Sequence, residues 1–278
     1  MTADVLPRRN YIGGGTIAAV LGLSPWHSPL DAYLDLVEGE LEISAEKRQF
    51  FDDRRDLEPW ACAKFQRYAG LVISRTNKRY DDVEFPWAKA EIDAEVYESA
   101  YAENLEIKTV NPSSAWLWPE EDSGEEPPAY VTAQAMWGLG ITGRDRCHVF
   151  ALIGFDEARV YTIERDEALI LDIRERARAF WDNHVAKRRP PAPTTLDDLK
   201  RLYPRDTGSS IEATPAVIAA LESRAQHQQV EKRAINAKLL DEFAIKAHMG
   251  AATTLTVRGK PVASWKQRSD GTRVFRTL

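Results

Sequence analysis

The sequence is short of cysteine, of long apolar runs and of excess basic charge. Its 278 residues include only two cysteines, Cys62 and Cys147. These allow at most one disulfide and cannot by themselves form a four-cysteine zinc or iron–sulfur site, so we expect a reduced, cytoplasmic compartment. No apolar run approaches the roughly 18 residues of a membrane span, and the polar first ten residues lack the apolar segment of a secretory signal. We therefore expect neither a membrane protein nor a membrane partner.

The lack of excess basic charge bears on function. Lysine and arginine number 37 against 43 aspartate and glutamate residues, a formal net charge of −6. This balance argues against a protein that coats nucleic acid through bulk charge. It is compatible with an enzyme that holds DNA locally and uses carboxylates to bind metal ions. Hydrophobic residues make up 44% of the chain, which is typical of globular rather than disordered proteins.

The apolar periodicity predicts an α/β fold in which helices flank a mixed sheet of about five strands. We place this domain over residues 1–190. The predicted helices are 28–36, 46–68 with a bend at Pro59, 128–139 and 166–186, and the predicted strands are 71–75, 83–96, 103–110, 146–153 and 159–164. The last two strands are expected to form an antiparallel pair.

A proline-rich linker over 191–210 leads to a C-terminal extension over 211–278. No glycine or proline lies within 216–249. One continuous helix there would be about 50 Å long, and a helical hairpin broken near 226–229 fits equally well. The tail alternates like short β-strands and carries six positive charges against one negative. Its contact could be with DNA phosphates, a neighbouring subunit or another partner, and we rank a subunit or partner first.

The strongest chemical signal is Asp93, followed on the next strand by Glu106, Ile107 and Lys108. Alternate residues of a strand share a face, so Glu106 and Lys108 point to the same side. The residues between are enough for a hairpin that brings Asp93 opposite them. Two carboxylates and a lysine suit a hard divalent cation and phosphodiester hydrolysis, with the Ile107 carbonyl as a further ligand. Glu58, beside the helix proline, is the candidate fourth ligand.

Each piece also has an ordinary structural explanation. A Glu-x-Lys pair on a strand is most often a solvated face, and Glu58 alone is a surface or capping carboxylate. Trp116 and Trp118 could stack on an unpaired base or pack in the core or an interface. The five carboxylates within 120–126 are too many to face DNA, and they are either solvated or dock a basic partner. The prediction of a metal-dependent nuclease site rests on the combination of Asp93, Glu106, Lys108 and Glu58.

Seven segments in order give the sequence a family resemblance. They are Ile12–Trp26, 57–59, 92–94, Leu105–Thr109, Pro128–Gln134, 161–167 and 180–181. The chain resembles the YqaJ-type phage recombinases, relatives of lambda exonuclease within the PD-(D/E)xK nuclease superfamily. The resemblance implies that Asp93, Glu106 and Glu58 are metal ligands, Lys108 the catalytic lysine and Gln134 the active-site glutamine.

The glycine-rich start resembles the segment of this family that meets the 5′ end of DNA. The resemblance implies that Gly14, Gly15 and Thr16 contact a phosphate through backbone N–H groups, with Arg8 or Arg9 adding a charged contact. The usual Ser-Asp of the family reads Gly15-Thr16 here, so the first hydroxyl is missing.

For function, the resemblance implies a deoxyribonuclease that uses two Mg²⁺ (or Mn²⁺) ions. It would digest linear double-stranded DNA from 5′ to 3′ and leave 3′ single strands for recombination. A homotrimer, a single-strand annealing protein as partner and a phage or prophage origin in a bacterial host are further implications. Two alternatives stay open: an endonuclease or repair nuclease with the same site, and a catalytically inactive scaffold that binds DNA ends.

Overall fold

The computed structural model describes residues 10–38, 45–97 and 101–278. The predicted DNA contacts Arg8 and Arg9 lie outside these ranges. The chain divides into two compact units, Met1–Arg205 and Asp206–Leu278. Across the described ranges, no helix has both the length and the apolar character needed to cross a membrane.

The first unit contains helices and a five-stranded sheet. Its helices are α1 (Gly14–Val20), α2 (Pro29–Val37), α3 (Ala45–Ala69), α4 (Ala129–Thr142), α5 (Glu167–Phe180) and α6 (Leu196–Leu202), and its strands are β1 (Val72–Asp81), β2 (Lys89–Tyr97), β3 (Ala102–Val110), β4 (Arg146–Ile153) and β5 (Glu157–Glu164). Short 3₁₀ turns lie at Pro112–Leu117 and Glu121–Ser123, and a π-helical turn at Trp181–Val185 follows α5.

The sheet has the strand order β1-β2-β3-β4-β5. All neighbouring strands are antiparallel except β3 and β4, which pair in parallel from Asn104↔Cys147 to Val110↔Ile153. Parallel neighbours need a crossover, and α4 provides it. The predicted α/β fold with a mixed five-stranded sheet is therefore confirmed.

Helices cover both faces of the sheet. On one face, α1, α2, α4 and α5 form the larger core, which includes Trp137 and Val149. On the other face, Phe65 of α3 packs against Leu105 and Phe150. Alternate residues of β4 thus enter opposite cores, as expected for a strand buried on both sides.

Several elements differ from the predicted bounds. Helix α3 runs without interruption through Pro59, where we expected a bend or restart. Strand β1 continues to Asp81, beyond the predicted 71–75, and β2 begins at Lys89. The segment predicted as a linker contains α6.

The second unit consists of one long helix and a small sheet. Helix α7 (Pro215–Met249) is continuous over 35 residues, so the hairpin alternative is wrong. Strands β6 (Thr254–Val257), β7 (Lys260–Gln267) and β8 (Arg273–Thr277) form an antiparallel sheet.

Candidate active site

The candidate site lies where strands β2 and β3 stop pairing. Their ladder ends at the pair Ala94↔Leu105. Beyond it, the backbone N–H of Ile107 donates to Oδ2 of Asp93 at 2.8 Å. A carboxylate therefore takes a place that a backbone carbonyl would occupy in a continued ladder, and this contact fixes Asp93 against β3.

Glu106, Lys108 and Gln134 form a closed triangle of contacts beside this point. Lys108 Nζ lies 2.7 Å from Glu106 Oε1 and donates to Gln134 Oε1 at 2.7 Å. Gln134 Nε2 donates to Glu106 Oε1, also at 2.7 Å. Glu106 and Lys108 share a face of β3, as their spacing predicts. The amide of Gln134 bridges the carboxylate and the ammonium group and holds both side chains in place.

The fold positions Gln134 through the crossover helix α4 and the glycine-rich start of α1. A Cβ atom on Gly14 would approach Gln134 Cγ to 3.2 Å and Nε2 to 3.3 Å. Glycine at position 14 therefore lets Gln134 lie closer to α1 than a larger residue would without displacing it. Gly15 is exposed with open space around it, and Thr16 is half-buried. The glycine-rich segment thus contacts the site through Gly14, while Gly15 faces outward.

Charge is unevenly balanced among these partly buried groups. Burial raises the pKa of Asp93 well above its ordinary value, and the negative charges of Glu106 and Glu58 raise it further. Burial opposes the charge of Lys108, yet Glu106 and Asp93 outweigh it and raise the lysine pKa. Lys108 is therefore a cation in this arrangement. Asp93 and Glu106 lie beside this one lysine, so two carboxyl groups share a single matching positive charge.

Glu58 stands on α3 at the edge of this group. Burial is the main cause that raises its pKa, and the charge of Glu106 adds to it, while Arg55 and a hydrogen bond with Asn77 oppose the rise. Cys62, one turn further along α3, has its pKa raised to about 11 by burial and by the charges of Asp93 and Glu58. Both cysteines are free thiols.

The donor set suits a hard divalent cation. Asp93, Glu106 and Glu58 offer carboxylate oxygens, the ligands that Mg²⁺ prefers, and the excess negative charge among them favours a cation. Within the described ranges, however, no three His, Cys, Asp or Glu side chains are arranged to hold a metal ion. Glu106 is engaged by Lys108 and Gln134, and Asp93 by the Ile107 N–H. The Ile107 carbonyl stays a predicted ligand.

Two residues near the site have contacts that the sequence did not reveal. Arg54, one turn before Glu58, donates to the Thr109 carbonyl at 2.9 Å and also to its hydroxyl. It thereby ties α3 to the end of β3. Tyr130, one turn before Gln134, packs edge-on against Trp26 with ring centroids 5.0 Å apart. In the sequence, four residues separate Arg54 from Glu58 and Tyr130 from Gln134, and this spacing indicates that each pair shares a helix face.

The two tryptophans proposed from the sequence as base-stacking residues differ in burial. Trp118 is 3% exposed and packs against Tyr161, so it belongs to the core, whereas Trp116 is 81% exposed.

In the acidic segment over 120–126, Glu121 accepts hydrogen bonds from Tyr68 and the Val160 N–H. Glu120 pairs with Arg159 at 3.0 Å. These two carboxylates therefore bind neighbouring parts of the same fold.

The fold defines an α/β protein with a mixed five-stranded sheet, and comparison identifies its family. A family model described as the YqaJ-like viral recombinase domain matches residues 5–145. The chain belongs to this family, and the resemblance seen in the sequence is confirmed.

Individual relatives support the same assignment. The chain is 27% identical over 220 residues to an uncharacterised protein YqaJ of Bacillus subtilis (strain 168), covering 76% of this chain and 66% of the relative. The match thus spans slightly less than two thirds of that relative. An alkaline exonuclease (LHK-Exo) from Laribacter hongkongensis is similar in fold, with a TM-score of 0.51, 22% identity and coverage of 70% of this chain and 94% of that one. Its complex with dAMP gives a TM-score of 0.51 at 23% identity.

Proposed function

We propose that the protein is a Mg²⁺-dependent deoxyribonuclease that digests linear double-stranded DNA from 5′ to 3′. The observation that carries the proposal is the Glu106–Lys108–Gln134 triangle beside half-buried Asp93. Family membership and the alkaline-exonuclease fold agree with it. The product would be a 3′ single strand, the form that an annealing protein requires for recombination.

In this proposal the carboxylates of Asp93, Glu106 and Glu58 would hold two divalent cations. When bound, such cations lower the pKa of the attacking water and neutralise the leaving oxygen. Mn²⁺ would replace Mg²⁺, because both accept oxygen ligands. The N–H of Ile107 keeps Asp93 oriented, since it donates to one carboxylate oxygen.

Lys108 would act as a fixed positive charge rather than as a base. Its pKa is raised against the effect of burial by Glu106 and Asp93, so it carries its proton at neutral pH. A cation at this position can donate to a phosphate oxygen and stabilise negative charge that develops during hydrolysis. Gln134 would hold both side chains in position, because its amide accepts a hydrogen bond from Lys108 and donates one to Glu106.

The preference for DNA ends is the finer part of the proposal. Gly15 and Thr16 would contact the 5′ phosphate, with Arg8 or Arg9 adding charge. A homotrimer and a single-strand annealing protein as partner are proposed on family resemblance. Since the match spans 66% of the YqaJ relative, the activity of the whole protein is part of this proposal.

The test uses linear duplex DNA labelled at either the 5′ or the 3′ end, with a covalently closed circle alongside. We expect immediate release of the 5′ label with Mg²⁺, none with EDTA, and an untouched circle. Cutting of the circle would indicate an endonuclease. No cleavage with any divalent cation would leave the inactive end-binding scaffold.

Matched variants assign any activity to this site. Asp93→Asn removes a proposed ligand with almost no change in shape, whereas Asp156→Asn makes the same change at an exposed turn between β4 and β5. We expect the first to be inactive and the second to be active. Mg²⁺ binding by calorimetry should be lost only in the first, and equal binding in both would contradict the site.

A further inference from the structure

Trp26 is a large aromatic residue held in an exposed position. Its side chain is 66% exposed, although tryptophan is normally well buried. The Ser24 hydroxyl accepts the backbone N–H groups of Trp26 at 3.3 Å and His27 at 3.2 Å. The turn that carries Trp26 is therefore hydrogen-bonded internally, and the indole projects from an ordered backbone.

Both ends of this turn are anchored to the fold. Arg176 donates to the Leu21 carbonyl at 2.9 Å where α1 ends. Ser28 caps α2, and its hydroxyl donates to Asp198 at 2.6 Å. An aromatic ring presented from a fixed turn loses little conformational freedom when it binds a partner, which is the property of a preorganised contact.

The indole lies next to the candidate active site. Its ring meets Tyr130 edge-on at 5.0 Å and 81°. Tyr130 is one helical turn from Gln134, a separation of about 5–6 Å between side chains. The charge of Lys108 also acts on the Tyr130 hydroxyl, against the larger effect of burial. Trp26 therefore contacts Tyr130, which neighbours Gln134 on α4 and lies within the electrostatic reach of Lys108.

Resting on the proposed function, we propose that Trp26 stacks on a base of the DNA strand whose phosphodiester lies at Lys108. Trp26 stays 66% exposed beside Tyr130, so its ring has surface for a second aromatic partner, and a nucleobase offers a flat π-face whatever its sequence. Trp26 is thus a positioning residue that acts on the base, while the carboxylates act on the phosphate.

The experiment uses a DNA hairpin with one blunt, 5′-phosphorylated end, so that only one end is available. Abasic sites replace, one at a time, the first three nucleotides of the 5′ strand. Affinity is measured in the Asp93→Asn background for Trp26, Trp26→Ala and Trp26→Phe. Leu23→Ala is the matched control, because Leu23 is an exposed apolar residue of the same turn.

We expect Trp26→Ala to weaken binding of intact DNA by about 5- to 150-fold, the range for one stacked base. At the abasic position that removes the contacted base, Trp26 and Trp26→Ala should bind within about twofold of each other. Trp26→Phe should retain most of the affinity, and Leu23→Ala should show no dependence on any base.

Two results would overturn the inference. One is equal affinity of Trp26 and Trp26→Ala for intact DNA, which would assign the indole to another kind of contact. The other is the same deficit at every abasic position, which would mean that the substitution disturbs the fold rather than a stack. If Trp26→Ala is poorly folded in a thermal melt, the same comparison is made with Trp26→Leu. Cleavage by Asp93→Asn would instead contradict the proposed function, and the affinities would then be measured in EDTA.

Discussion

Strand β2 carries two carboxylates two residues apart, half-buried Asp93 and buried Glu95, and their surroundings differ. We name the group of Asp93, Glu106, Lys108, Gln134 and Glu58 the Asp93 cluster. A second group of contacting side chains, Glu95, Tyr80, Asn104 and Arg144, is named the Glu95 cluster.

The two clusters balance charge in opposite ways. Glu95 is 1% exposed, yet its pKa is lowered, because hydrogen bonds from Tyr80 and Arg144 outweigh the effect of burial. Arg144 Nη2 donates to Glu95 at 3.0 Å and Arg144 Nη1 donates to Asn104 at 2.7 Å. Asp93 has a raised pKa because burial and neighbouring carboxylates oppose its charge.

We interpret this difference as one between a carboxylate that serves the structure and a carboxylate that serves a function. A carboxylate whose charge is fully matched stabilises the native state, whereas one left in excess negative charge is costly unless a cation joins it. The Glu95 cluster therefore joins neighbouring strands, and under the proposed function the Asp93 cluster would bind the cations. Substitutions in the two clusters should have opposite consequences.

The largest expected effect is that of Asp93→Asn on hydrolysis. Losing a ligand removes several kcal/mol of transition-state stabilisation, so turnover should fall by about 10³-fold or more. The melting temperature should hold or rise, because the amide removes a charge that burial opposes. Paired rate and melting measurements check both halves, and a large loss of stability would make Asp93 a structural residue like Glu95.

Lys108→Ala should reduce turnover by about 10²- to 10³-fold, the range for removing one donor that stabilises charge developing in the transition state. DNA binding should change little, because one lysine supplies a small part of the charge that holds a DNA backbone. Single-turnover kinetics and a binding titration separate the two quantities. Lys78→Ala, an exposed lysine on β1, is the control. A fall of less than about tenfold would mean that Lys108 only neutralises Glu106.

Glu95→Gln should lower stability and leave turnover unchanged, which is the opposite of the result expected for Asp93→Asn. Removing one partner from a buried ion pair leaves Arg144 without its match, and we expect a loss of about 3 kcal/mol in the free energy of unfolding. Chemical denaturation measures this loss. Turnover well below the melting temperature should equal that of the wild type, and a specific loss of turnover would join the two clusters functionally.

Each cluster has a neighbouring glycine that allows a smaller test. Gly14→Ala would push on Gln134, while Gly138→Ala would approach Ile92 Cδ1 to 3.2 Å and Asn104 Nδ2 to 3.4 Å. Displacing Gln134 by a few tenths of an ångström should lower turnover by about tenfold. Gly138→Ala should leave turnover unchanged. Equal rates for the two variants would show that the position of Gln134 is not critical.

The smallest effect is on the pH dependence of stability in EDTA. The folded state holds the Asp93 proton more tightly than the unfolded state, so this group lowers stability as pH rises from 3.8 through the raised pKa. Glu95 adds stability that is complete above 4.5 and is lost as pH falls through its lowered pKa. As the pH rises from about 4 through the raised pKa of Asp93, the melting temperature of Asp93→Asn should therefore gain on that of the wild type. The deficit of Glu95→Gln should shrink below about pH 4.5, and parallel curves would contradict both assignments.

The parts of this site that follow local rules were predictable. The alternation of a strand places Glu106 beside Lys108, and a hairpin brings Asp93 to their level. The identity of Gln134 came from resemblance, because α4 reaches β3 only through the crossover. The sequence could not show that the β2–β3 ladder ends at Ala94↔Leu105, since this depends on two backbones moving apart.

Long-range pairing explains most of what was missed. The contact between Glu95 and Arg144 joins residues 49 positions apart, and no local pattern marks them as partners. Pro59 lies inside an unbroken helix, because packing of α3 against the sheet outweighs the lost hydrogen bond. Trp116 and Trp118 differ in burial because the 3₁₀ turn ends between them, at Leu117.

The parallel pairing of β3 and β4 has a consequence for biosynthesis. Asn104 pairs with Cys147 and Val110 pairs with Ile153, so β3 stays without its second neighbour until the chain has grown by more than 40 further residues. Closing such a long segment is slow compared with forming local structure. A nascent chain that ends before β4 therefore holds Asp93, Glu106 and Lys108 without the frame that aligns them. We expect cutting activity to arise only after β4 has left the ribosome, when the domain can close as a unit.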